Sequence, residues 1–148
     1  MIAFKNLSEI LKTMLGWETK LKDFYDVAEY ALQNEESKKT VQTLRERHGN
    51  KLEILKGVDL SSHGETEWVR YAPSYKESEL IPVGKIRRDS EPEEIFEHLL
   101  DYETKLKSIY SSIANNLISR TQKELFESLV QFKEEQIDEI RHLAAEEA

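Results

Sequence analysis

An all-α fold, a four-helix bundle made of two similar helical hairpins, is what this sequence predicts, and three observations carry the prediction. The first is an internal repeat. Trp17-Glu18-Thr19-Lys20-Leu21-Lys22-Asp23-Phe24-Tyr25 returns 85 positions later as Tyr102-Glu103-Thr104-Lys105-Leu106-Lys107-Ser108-Ile109-Tyr110. The same offset pairs Glu9 with Glu94, Leu15 with Leu100, Leu32 with Leu117, Leu44 with Leu129 and Leu55 with Ile140, with no gap from about residue 8 to 57. The second is composition: 34% charged and 39% apolar residues with only 5 Gly and 3 Pro suit long amphipathic helices better than a sheet. The third is apolar spacing at alternating steps of 3 and 4, which keeps one helix face inward.

The elements follow in order, within one domain spanning 1–148: a hairpin over about 6–57, a crossover over 58–89 and a second hairpin over about 90–145. A first helix is predicted from about Asn6 to Gln33, with Leu11, Met14, Leu21, Tyr25, Ala28 and Leu32 inward. Asn34-Glu35-Glu36-Ser37 is a polar break in which Ser37 can cap the next helix. That second helix runs from about Lys38 to Lys56, with Val41, Leu44, Leu52 and Leu55 inward and Gly57 as its stop.

Residues 58–89 hold two of the three prolines, Pro73 and Pro82, and the aromatics Trp68, Tyr71 and Tyr75, with no sustained helix or strand period. Antiparallel neighbours need loops of only about 2–8 residues. This longer connector can run the length of a bundle, so the third helix enters parallel to the second. Ser90, Pro92 and Glu93 mark the third helix's start, and its seam is Phe96, Leu99, Leu106, Tyr110, Ile113 and Leu117. Thr121 and Glu124 form a second capping signature before a seam of Phe126, Leu129, Ile140 and Leu143, and residues 144–148 are expected to fray.

Charge and residue usage narrow the function classes. A net charge of −8 argues against a nucleic-acid backbone partner, whose recognition rests on Lys and Arg. The absence of cysteine removes disulfides, thiolate metal sites and thiol catalysis. The stretch Met1–Asn6 meets Lys5 without an apolar run, and no stretch reaches the length of a membrane span. The expectation is a soluble, cytoplasmic protein with neither a membrane nor a nucleic-acid partner.

Each seam skips one position, and that position is ionisable: Glu18 in the first helix, His48 in the second, Glu103 in the third and Lys133 in the fourth. In an antiparallel hairpin two positions are level when their midpoint falls at the turn. The midpoint of 18 and 48 is 33, and that of 103 and 133 is 118; both fall within about one helical turn of a predicted turn. The four side chains are therefore expected in one layer inside the bundle, where charge is costly unless paired or metal-bound. Tyr25 and Tyr110 lie one heptad beyond the glutamates and are read mainly as core aromatics. Trp17 and Tyr102 are read as flanking residues that pack on a neighbouring helix or a partner chain.

The doubled hairpin, the long crossover and the core glutamates Glu18 and Glu103 resemble the ferritin-like superfamily, nearest its rubrerythrin-like branch. The resemblance implies two irons, held by one Glu from each of helices 1 and 3 and a Glu-x-x-His pair from each of helices 2 and 4. Carried over by position, Glu18, His48 and Glu103 match. Helix 2 has Arg45 where the pattern wants Glu, and helix 4 has Val130 and Lys133 in place of both ligands.

Two readings follow. In one, the metal site is degenerate, and Glu18, Arg45, His48, Glu103 and Lys133 form a buried charge layer in a protein without cofactor. Its role is then structural or binding, and the resemblance implies a homodimer. In the other, Glu18, His48 and Glu103 hold a single metal completed by water, in an iron-binding oxidoreductase or peroxide-handling protein. Glu139-x-x-His142 is a literal match to the ligand pair, but it lies about 13–14 Å further along the helix axis and beside the seam, and reads as surface. His63 and His98 have no companions at ligand spacing.

Overall fold

The computed structural model describes residues 3–58, 68–71 and 90–147. Along these run a short strand β1 (Ala3–Asn6), helices α1 (Leu7–Ala31) and α2 (Glu35–Lys56), a second strand β2 (Trp68–Tyr71), and helices α3 (Pro92–Asn115) and α4 (Arg120–Glu147). The helices form one all-α bundle around a shared core. That core takes Leu7, Met14, Leu21 and Ala28 from α1, Val41 and Leu44 from α2, Phe96, Leu99 and Leu106 from α3, and Phe126, Leu129 and Ile140 from α4.

Side-chain contacts set the helix directions. Within each hairpin the helices are antiparallel, as His48 on Glu18 and Lys133 on Glu103 require of chains joined by short turns. Between hairpins, Tyr25 of α1 meets Glu103 of α3 while Tyr110 of α3 meets Glu18 of α1, so α1 and α3 are also antiparallel. In the same way Gln136 reaches Leu44, and Lys51 lies over Phe132, which makes α2 and α4 antiparallel. Therefore α2 and α3 point the same way.

The helix ends correct several expected caps. Asn34, not Ser37, caps α2: its side chain accepts from the Ser37 backbone N–H, and Ser37 is buried inside the helix. The N-cap position of α3 is Glu91, with no side-chain cap bond, and Pro92 occupies the first turn. Ser119 opens α4 by accepting the Lys123 N–H on its carbonyl at 2.9 Å and the Gln122 N–H on its hydroxyl at 3.4 Å, so Thr121 falls inside the helix. The helix continues to Glu147, beyond the point where fraying was expected.

A second difference lies in the connector. Trp68–Tyr71 is a strand, paired antiparallel with Ala3–Asn6 in the register Ala3↔Tyr71 to Asn6↔Trp68. Four residues are too few to display an alternating pattern. The ribbon ties the connector to the start of α1. Pro73, Tyr75, Pro82 and His63 lie outside the described residues. No described helix is long and apolar enough to cross a membrane.

Candidate functional site

Two turns of heptad spacing on each helix bring four ionisable side chains to one level of the core. Glu18, His48, Glu103 and Lys133 are each at most 2% exposed. Lys133 sits at the centre: its Nζ donates to Glu18 Oε1 at 2.5 Å and to Glu103 Oε1 at 2.7 Å. His48 Nε2 lies 3.2 Å from the same Glu18 oxygen. An ionised carboxylate only accepts, so the network assigns the proton to Nε2.

The remaining carboxylate oxygens are met by tyrosines. Tyr110 donates to Glu18 Oε2 at 3.0 Å, and Tyr25 donates to Glu103 Oε2 at 3.1 Å. All four carboxylate oxygens thus have a donor. The arrangement is close to two-fold: residues 85 apart play the same part, Tyr25 on Glu103 and Tyr110 on Glu18. Beside it Tyr102 donates to the Trp17 carbonyl at 2.8 Å, so both flanking aromatics pack within the chain. From α4, Gln136 Nε2 reaches the Leu44 carbonyl at 3.1 Å and the Tyr25 hydroxyl at 3.4 Å, bracing that tyrosine.

The electrostatics follow from this packing. Burial pushes the Glu18 carboxyl up, but Lys133 and His48 beside it outweigh burial and hold it at about 2. Burial pushes the Lys133 ammonium down, and the two carboxylates reverse the balance, raising it above its ordinary value. Burial and the neighbouring carboxylates raise Tyr25 and Tyr110, which therefore stay protonated and donate. Buried charge is retained here because each carboxylate oxygen has a donor and the ammonium lies between the two carboxylates. Tyr110→Phe removes the one donor to Glu18 Oε2 among the described residues and should cost about 1.5–3 kcal/mol, the range for hydrogen bonds to charged groups; urea denaturation reads it directly.

One expected member lies elsewhere. Arg45 is not in the layer: its guanidinium turns outward to Asp26 at 3.2 Å and Glu29 at 2.9 Å, with about a third of its side chain exposed. Carboxylates on α1 at the bundle surface offer it hydrated partners, whereas the layer already has a cation at its centre. Glu139 and His142 are both exposed on α4, and Val130 is partly buried against the core. His98 meets the edge of Phe24, with ring centroids 6.5 Å apart.

Two contributions were under-read in the sequence. Tyr25 and Tyr110 read chiefly as core aromatics from spacing, although a hydroxyl seven residues from a core glutamate is two turns away on the same face. Gln136 was not singled out; its signal is a polar residue one turn beyond Lys133, on the inward side of α4.

The fit of a metal can be tested on these atoms. The candidate ligands Glu18, His48 and Glu103 converge, but they converge on Lys133 Nζ, a fixed cation that takes one oxygen of each carboxylate. Among the described residues no group of three or more His, Cys, Asp or Glu is arranged to hold a metal ion. The donor set does not fit the di-iron site that the resemblance implies. Comparison with protein-family models, curated proteins and solved structures finds no match to this chain.

Proposed function

We propose that this chain is a ferritin-like bundle whose metal position is taken over by its own cation, and that its role is structural or binding, without redox chemistry. The observation that carries the reading is Lys133 Nζ bonded to Glu18 and Glu103 at 2.5 and 2.7 Å in the core. In a bundle with two metals, carboxylates facing each other across the core are neutralised by the metal charge. Here the ammonium bridges both carboxylates and offsets one of their two charges, the tyrosines complete the carboxylate shells, and His48 donates where a metal-bound imidazole would offer a lone pair. The antiparallel α1/α3 and α2/α4 contacts, together with the parallel α2 and α3, support the ferritin-like pairing. The layer also favours one docking of the two hairpins, since a slip of one turn, about 5.4 Å, would part every charge from its partner.

Thermal denaturation with and without excess Fe(II) under anaerobic conditions tests the reading. A ligand that binds only the folded state raises Tm, and raises it further as its free concentration exceeds its Kd. The expected result is an unchanged Tm and no iron retained after desalting. Near-stoichiometric iron, lost in Glu18→Ala or Glu103→Ala, would contradict it.

A further inference from the structure

Between α2 and α4 the layer is closed by different means on its two sides along the bundle axis. Towards Leu44, one turn before His48, Gln136 is wholly buried and donates to the Leu44 carbonyl and the Tyr25 hydroxyl. Towards Lys51, on the other side of His48, a tight seam is lined by Glu18, His48, Lys51, Phe132 and three leucines, and it has no room for a water molecule. Glu18, His48 and the leucines are at most 2% exposed, whereas Lys51 and Phe132 are half-buried and reach the surface. The Phe132 ring also lies under both lysines: Nζ of Lys51 and Nζ of Lys133 are each 5.8 Å from its centroid. The residue 85 positions before Phe132 is Arg47, which is exposed, so this aromatic has no copy in the first hairpin.

We infer that Phe132 is a positioning residue of the layer: its ring keeps water from Glu18 and His48 on this side and holds the Lys133 ammonium against the carboxylates. The ring suits both tasks. Its face attracts a cation without offering an acceptor that would draw the ammonium away from Glu18 and Glu103. Its bulk fills the seam where a smaller side chain would leave space. That space would be bordered by a carboxylate and an imidazole, and a buried water settles where it finds about 2–4 polar partners. Water there would compete for Glu18 and raise the local dielectric, which weakens the hold of Lys133 on both carboxylates. Phe132 thus acts through Lys133 and Glu18, and the inference rests on the lysine-bridged layer proposed above.

The test is the 15N spectrum of the lysine ammonium groups in the full chain at neutral pH, where an exposed ammonium exchanges too fast to be seen and a buried, hydrogen-bonded one persists. The wild type is expected to show a protected Lys133 resonance, identified by its absence in Lys133→Met. Phe132→Leu, which keeps most of the bulk, should retain the resonance, and Phe132→Ala should lose it while circular dichroism still reports a folded bundle. If Phe132→Ala does not fold, Phe132→Val makes the same comparison with a smaller truncation. Phe96→Ala, a truncation in the buried core two turns from Glu103, should leave the resonance in place, which separates loss of the seal from general loss of packing. A Lys133 resonance as protected in the Phe132 truncations as in the wild type would overturn the inference and leave the layer intact. A wild type with no protected lysine would instead defeat the underlying reading.

Discussion

Lys133→Ala is expected to destabilise the fold by about 3–5 kcal/mol, the range for removing one partner of a buried ion pair. The substitution does more than delete two hydrogen bonds. It strands Glu18 and Glu103, both essentially without solvent exposure, facing each other with no lysine between them. Like charges at such a site cannot both stay ionised, so one carboxylate must take up a proton or the layer must open to water. Urea denaturation at neutral pH reads the loss. Adding Glu103→Gln to Lys133→Ala should restore part of it, because the repulsion disappears and Tyr25 still has an oxygen to bond. A Lys133→Ala protein within about 0.5 kcal/mol of wild type, the range of an ordinary surface change, would exclude an energetic role for the pair.

Acid should reveal the second large effect. The Glu18 carboxyl is held at about 2 in the fold against an ordinary value of 4.5, chiefly because Lys133 and His48 overcome the burial penalty. The unfolded chain therefore binds the proton first as pH falls. The stabilisation is complete above the ordinary value and is lost progressively as pH drops from there towards 2, a total of about 3 kcal/mol by linkage. Glu18→Gln should lower stability at neutral pH and flatten this acid limb, as measured by the urea midpoint against pH. Lys133 runs in the opposite sense. Its raised value means that its contribution is full below the ordinary 10.5 and fades as pH climbs above it.

Much of this architecture was legible because it depends on periodicity. Heptad spacing locates four helices, and the 85-residue offset places Glu18 with Glu103 and His48 with Lys133. What escaped the sequence was set by local competition or by tertiary partners. Asn34 outcompeted Ser37 as a cap because both residue types accept from an N–H, and only the path of the turn decides which one is positioned to do so. The β1–β2 ribbon rests on pairing between residues some 65 positions apart, and neither strand is long enough to carry a pattern. Arg45 was drawn into the layer by analogy with a ligand position, whereas Asp26 and Glu29 on the facing helix held it at the surface. Gln136 went unnoticed because a glutamine in a charged helix reads as solvated until Leu44 and Tyr25 are seen opposite it.

The central claim is that the carboxylates and Lys133 need each other, and a double-mutant cycle on Lys133→Met and Glu103→Gln measures that need most directly. If the ammonium closes the layer, each single change costs several times more than an isolated hydrogen bond, and the double change costs less than their sum by about 2–3 kcal/mol. Additive effects within about 0.5 kcal/mol would show that Lys133 and Glu103 act independently, and the proposed replacement of metal by ammonium would not stand.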